Sequence, residues 1–206
     1  MTPANPKGIR VDLQLIADMI EPGSRVLDIG CGNGSLLAYL GREKQVDARG
    51  IEISTDGVQA CVSAGLSVVQ GDVETDLKNY PDGAFDYVIL SQTLQAMMNP
   101  KAMLEQMTRI GKHVIVSVPN FAYWRLRLFI MFKGRMPVSE NLPYEWYNTP
   151  NIHFCTVRDF VKLADEMGLT IERSLFLDAA GESRTIGNSV FMANWFGEQA
   201  VFLLKK

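Results

Sequence analysis

The sequence predicts an α/β fold on a doubly wound, mostly parallel sheet, and three observations carry that expectation. Apolar runs of strand length alternate with segments of helical periodicity from residue 12 onward. Residues 26–34, Val-Leu-Asp-Ile-Gly-Cys-Gly-Asn-Gly, lead an apolar strand into a glycine turn, as a chain must when it leaves a buried strand and at once begins a helix. Two later strands end in acidic residues, Glu52 and Asp72, at the carboxyl ends where an open α/β sheet holds its ligands.

Each element follows from local chemistry. Asp12 to Ile20 has apolar residues at 13, 15, 16, 19 and 20, a helical face ended by Glu-Pro-Gly at 21–23. Arg25 to Ile29 is the first strand, Ser35 to Gly41 a helix, and Ala48 to Glu52 the second strand. Ser54 can cap a helix over Thr55 to Ala64, with Gly65 just past its end, before a third strand at Leu66 to Gln70. The Pro81-Asp82-Gly83 turn precedes a fourth strand from Phe85; Asn99-Pro100 then opens a helix over about Lys101 to Arg109, and His113 to Val118 is the fifth strand. Thr156 and Asp159 have capping-box spacing for a helix ending near Gly168, and Thr170 to Leu177 and Ala200 to Leu204 are the final strands.

The glycine spacing selects the ligand. A dinucleotide fingerprint places its third glycine three residues after its second, a position held here by Ser35, whereas the third glycine comes early at Gly34. The run Asp-x-Gly-x-Gly-x-Gly resembles the first motif of the S-adenosylmethionine-dependent methyltransferases. That resemblance implies a turn, Asp28, Gly30, Cys31, Gly32 and Gly34, that cradles the methionine half of S-adenosylmethionine or S-adenosylhomocysteine. Glu52, followed by Ile53, stands where both ribose hydroxyls can donate to one carboxylate. Asp72 and Val73 occupy the adenine position, as an acceptor for the amino group and a backbone N–H, and Ser91 and Gln92 face the amino-acid end. The implied architecture is a Rossmann-like class I methyltransferase fold, a mostly parallel seven-stranded sheet with an antiparallel final strand.

Composition limits the partners. The 206 residues are 47% hydrophobic, enough for one domain spanning residues 1–206 with one core. A net charge of −3 argues against nucleic acid, whose phosphates need a basic face. The opening Met-Thr-Pro-Ala-Asn-Pro lacks an apolar signal core and no run reaches membrane-span length, so a cytoplasmic protein is expected. Cys31, Cys61 and Cys155 are odd in number and form no Cys-x-x-Cys pair, which points to neither a disulfide framework nor a metal site.

Between the fifth strand and the last long helix, residues 120–151 form an aromatic and basic insertion. Phe121, Tyr123, Trp124, Phe129 and Phe132 interleave with Arg125, Arg127, Lys133 and Arg135, and residues 121–132 can be helical. Such a segment is either a lid over the cofactor or a docking surface, since Trp, Tyr and Arg supply interface anchors. Pro119-Asn120-Phe121, Trp124-Arg125-Leu126-Arg127, Gly134-Arg135-Met136-Pro137, Leu142-Pro143-Tyr144-Glu145-Trp146-Tyr147 and Thr149-Pro150-Asn151-Ile152-His153 resemble the methionine biosynthesis MetW family. One departure is Ala122-Tyr123, where the family pattern has Gly-His, so no histidine role carries over there. The resemblance implies a bacterial protein that works with a homoserine O-acyltransferase, an acetyl- or succinyltransferase, and Trp124, Tyr144, Trp146 and Tyr147 are the candidate contacts.

Catalytic candidates are few. His113 opens an internal strand and reads as structural, while His153, before the last long helix, is the candidate base for methyl transfer. No Gly-x-Ser-x-Gly elbow or Cys-His pair suggests acyl transfer by the chain itself. Three functions are therefore weighed: an S-adenosylmethionine-binding accessory protein of the acyltransferase, a small-molecule methyltransferase, and, against Ser35 and Asp72, a nicotinamide oxidoreductase.

Overall fold

The alternation of apolar runs becomes, in a computed structural model of the chain, an eight-stranded sheet with helices on both faces. Residues 8–139, 142–187 and 190–206 are described; the opening Met-Thr-Pro-Ala-Asn-Pro segment lies outside them. Helix α1 (Val11–Asp18) precedes β1 (Arg25–Ile29), α2 (Ser35–Lys44), β2 (Asp47–Glu52), α3 (Thr55–Ser63), β3 (Ser67–Gln70) and the single turn α4 (Val73–Asp76). Then come β4 (Phe85–Ser91), α5 (Pro100–Ile110), β5 (Gly111–Pro119), α6 (Trp124–Lys133) and α7 (Val157–Glu166). The chain closes with β6 (Thr170–Leu177), β7 (Ser183–Thr185), α8 (Val190–Phe196) and β8 (Gln199–Lys205).

Strand order is β3-β2-β1-β4-β5-β8-β6-β7. The strands β1 to β5 pair in parallel, and β8 runs antiparallel to both β5 and β6, the reversal expected of the final strand. The sheet has one strand more than the expected seven. Three exposed residues, Ser183–Thr185, return along β6 as an edge strand after a turn in which Asp178 Oδ1 accepts from the N–H groups of Ala180 and Glu182. So short and polar a run carries no strand pattern.

Burial on both faces explains the nearly continuous apolar runs of β4 and β5. Alternate residues serve opposite cores: Leu27, Ile29, Leu90, Val116, Phe160 and Phe202 on one face, and Ile16, Val26, Leu40, Ile89, Ile115 and Val201 on the other. The caps read from sequence are present, with Ser54 Oγ accepting from Gly57 N and Thr156 and Asp159 forming a reciprocal box. The helix anticipated within 121–132 is α6, ended by left-handed Gly134, and it buries none of its residues.

Asn120, directly after β5 and 1% exposed, ties the last part of the chain to the sheet. Its Nδ2 donates to Ala193 O, Asn194 O and Gly197 O, and its Oδ1 accepts from Ala122 N and Val157 N. Beside it Phe121 N donates to Cys155 O at 3.1 Å, so the insertion leaves and rejoins the fold at one place. No helix among the described residues is long and apolar enough to cross a membrane.

Candidate functional site

The turn between β1 and α2 is built from Gly30, Gly32 and Gly34, all left-handed, at φ 70°, 55° and 75°. Their duties differ. A side chain on Gly32 would meet open space, so this glycine leaves the main chain bare to a ligand. One on Gly34 would collide with Leu66 and lie 2.8 Å from Cys61 Sγ, so that glycine serves helix packing rather than ligand approach.

Glu52 holds the turn from behind. Its Oε2 accepts from Gly32 N and its Oε1 from Ser54 N, both at 2.8 Å, and the residue is 8% exposed. The carboxylate expected to face a ribose therefore also clamps the glycine turn to the end of β2. Each oxygen keeps a further lone pair for a hydroxyl donor.

A cavity of about 340 Å³ opens over the turn. It brings together Asp28, Gly30, Cys31, Gly32, Ser91 and Gln92 of the expected residues. Gly34, Glu52, Ile53, Asp72 and Val73 do not line it. Of these, Ile53 is 67% exposed, Asp72 is exposed as the cap of α4 with Oδ1 accepting from Glu74 N, and Gly71 N donates to Glu52 O, so the ends of β2 and β3 extend the site as an open shelf.

The cavity also contains residues that sequence reasoning missed, chiefly Arg10, Leu13, Asn33 and Ser35. The Arg10 guanidinium is held in bidentate fashion by Asp12, which is 3% exposed. A buried acid in the first turn of an amphipathic helix was the available signal that a nearby cation is fixed in place.

Burial, reinforced by the negative charge of Glu52, raises the Asp28 carboxyl to about 7. Burial likewise drives the Cys31 thiol up, and the Cys31 and Cys61 sulfurs, 30 residues apart in sequence, lie 3.9 Å from each other as free cysteines. At the end of β4, Gln92 adopts a left-handed φ of 54° although it is not glycine. Its N–H donates to both O and Oγ of Ser117, and its Nε2 donates to Gln199 Oε1 at 2.8 Å.

The remaining candidates lie elsewhere. His153 is exposed and does not line this cavity; it is also absent from a second cavity, lined by Pro119, Tyr123 and Glu198, and its backbone N–H donates to Gln95 O, in the turn that follows β4. His113 stacks on Tyr87 and approaches Glu172 at 3.4 Å, a placement within the sheet. Trp146 and Tyr147 are 72% and 70% exposed and meet edge to face, Tyr144 is 47% exposed, and Trp124 begins α6.

Known proteins share this fold. Two solved structures, S-adenosylmethionine-dependent methyltransferases from Mesorhizobium loti and Thermotoga maritima, are similar with TM-scores of 0.68 and 0.67 at 14% and 19% identity. Each alignment covers 95% of this chain, with 98% and 87% of the respective relatives, and establishes a common fold. The bifunctional methionine biosynthesis protein MetXA/MetW of Rhodopirellula baltica is 37% identical over 187 residues, 85% of this chain but only 30% of that protein. A family model described as methionine biosynthesis protein MetW matches residues 10–204. With that match along nearly its whole length, on a Rossmann-like methyltransferase fold, the chain belongs to the MetW family of methionine biosynthesis proteins.

Proposed function

We propose that the chain is an S-adenosylmethionine-binding accessory protein of methionine biosynthesis, a single cytoplasmic domain that associates with and supports or regulates a homoserine O-acyltransferase. The observation that carries the cofactor reading is the cavity over the glycine turn, which Arg10, Asp28 and the bare Gly32 line together. An adenosylated amino acid needs a cation for its carboxylate, a carboxylate for its ammonium and an acceptor for its diol; Arg10, Asp28 and Glu52 are of those types. The shelf formed by exposed Ile53 and Asp72 and half-buried Val73 suits the adenine.

Calorimetry tests this. S-adenosylhomocysteine should bind and NAD should not; NAD binding tighter than the sulfur ligand would overturn the assignment. Because Asp28 titrates near 7 and its ionised form attracts the ligand's ammonium, binding should release a proton below that pH. Affinity should rise about tenfold from pH 6 to pH 8 and then level off. The stability of the unliganded fold should move the opposite way, falling as pH rises from the ordinary carboxylate value of 3.8 towards about 7, because the native state retains a proton that the unfolded chain has lost.

The partner reading rests on the relative named MetXA/MetW and on the surface of the insertion. Met131, Phe132, Trp146, Tyr147 and Phe154 are each more than half exposed, on a segment that also carries exposed Arg125, Arg127 and Arg135. Apolar rings flanked by arginine are suited to a protein interface. Trp146→Ala should weaken co-purification with the acyltransferase by about 2 kcal/mol or more while leaving S-adenosylhomocysteine affinity unchanged. Loss of ligand binding with the complex intact would make the segment a lid.

A small-molecule methyltransferase is the second reading, favoured by a cavity at the ends of β5 and β6 that adjoins the glycine-turn cavity through the Gln92–Gln199 hydrogen bond. Label transfer from a radioactive methyl donor to a metabolite would place it first; because His153 lines neither cavity, His153→Ala should leave such transfer unchanged.

A further inference from the structure

That adjoining cavity, about 310 Å³, is bounded by Pro119 at the end of β5, Ala179 after β6, Glu198 ahead of β8, and Tyr123 and Arg125 at the start of α6. It shares Tyr123, Arg125 and Ala179 with a neighbouring chamber of about 380 Å³ that adds Trp124, Phe176 and Phe196. Small-molecule sites are concave, largely apolar and furnished with a few polar groups, and this pair fits that description.

The charges bordering the first chamber are complementary to a zwitterion. Arg125 is exposed, lies 5.4 Å from the Trp124 ring and, among the described residues, forms no ion pair with a carboxylate. Helix α6 begins on the same wall, and its N-cap, Tyr123, supplies no side-chain acceptor to the first amide groups. The helix dipole and the guanidinium thus favour one and the same anion, a carboxylate. Glu198 contributes a negative charge to the same chamber in addition to the interaction it already makes. The rest of the lining sets apolar Pro119, Leu126 and Leu142 beside Ser139 and Asn120, whose side-chain amide is already bonded within the fold. A methylene, thioether or ester arm gains more by burial against those three apolar residues than a short hydroxyl-bearing arm does.

We propose that this chamber binds an α-amino acid with a short apolar side arm, its carboxylate on Arg125 and the start of α6 and its ammonium towards Glu198. Two sources share that chemistry, a thioether amino acid such as methionine and an O-acylated amino acid such as O-acetylhomoserine. The site is separate from the glycine turn. The two cavities share no lining residue; Gln92 of the glycine-turn cavity donates to Gln199, the residue after Glu198, and that hydrogen bond links the end of β4 to the start of β8. The inference does not depend on which ligand the glycine turn takes, or on whether a methyl group is transferred.

The experiment is titration of the full chain with L-methionine, O-acetyl-L-homoserine and L-homoserine, with and without saturating S-adenosylhomocysteine. The wild type should bind at least one of the first two saturably in both conditions, and L-homoserine at least tenfold more weakly. Arg125→Ala removes the anion partner at an exposed position, and Ala179→Phe fills the wall common to both chambers; each should weaken binding at least tenfold with the thermal transition unchanged. Saturable binding by neither apolar-arm ligand overturns the inference, as does equal binding by both variants. Displacement by S-adenosylhomocysteine also overturns it, because the amino acid would then occupy the glycine turn. Failure of S-adenosylhomocysteine itself to bind counts against the cofactor reading alone, and the two variants still decide this one.

Discussion

Replacing Glu52 with alanine is expected to lower S-adenosylhomocysteine affinity about a hundredfold, roughly the 1.5–3 kcal/mol associated with hydrogen bonds to a charged acceptor. The loss has two parts: the acceptor for the ribose disappears, and the N–H groups of Gly32 and Ser54 lose the oxygens that align them. Glu52→Gln separates the parts. A glutamine must turn its NH2 towards one of the two backbone N–H groups, so it should damage binding nearly as much as alanine. If the residue served only as a ribose acceptor, glutamine would be mild, because an amide oxygen still receives a hydroxyl. Calorimetry on both variants, with circular dichroism to verify the fold, distinguishes these outcomes; wild-type affinity in Glu52→Gln would remove the clamp from the account.

The second large effect belongs to Asn120. Alanine there deletes every bond that joins the end of β5 to Ala122, Val157 and the carbonyls of 193, 194 and 197. At about 1 kcal/mol for each hydrogen bond, with partners left buried, Asn120→Ala should destabilise the fold by roughly 3–5 kcal/mol in urea unfolding. Aspartate should do no better, since its carboxylate would face carbonyl oxygens where an NH2 now donates. A loss below about 1 kcal/mol would mean that the neighbouring main chain re-pairs without the side chain.

Much of this was legible in the sequence, and the reasons are local. Strands β1 and β2 announce themselves through apolar runs closed by a glycine and an acid, β4 through its apolar run from Tyr87 to Leu90, and the helix caps at Ser54 and Thr156 through residue chemistry alone. What escaped depends on contacts between distant residues. Arg10 reaches the glycine turn, distant from it in the chain, with its guanidinium held by neighbouring Asp12, and Gly34 acquires its packing duty from Leu66 and Cys61. The 3.9 Å approach of Cys31 to Cys61 has no signature in their spacing. Helix α8 was unreadable for a different reason: its Val-Phe-Met-Ala-Asn-Trp-Phe run exposes Phe191 and Met192 and buries Ala193 and Asn194, the reverse of what hydrophobicity suggests.

The insertion's two feet stand side by side, with Phe121 N on Cys155 O and Val157 N on the amide of Asn120. An excursion whose ends already touch costs the sheet little closure entropy, which grows only as the logarithm of its length; its further ties are Ile152 N and His153 N on Gln95 O and Arg127 over the Trp195 ring. The part between Trp124 and Asn151 is thus the part to shorten or exchange for a relative's segment with little strain on β5 or α7, provided Asn120 and the bonds of Ile152 and His153 to Gln95 stay. Such a scaffold lets the surface that meets other molecules diversify independently of the turn that holds a ligand, and a chimera carrying another protein's segment would inherit that protein's contacts on an unaltered frame.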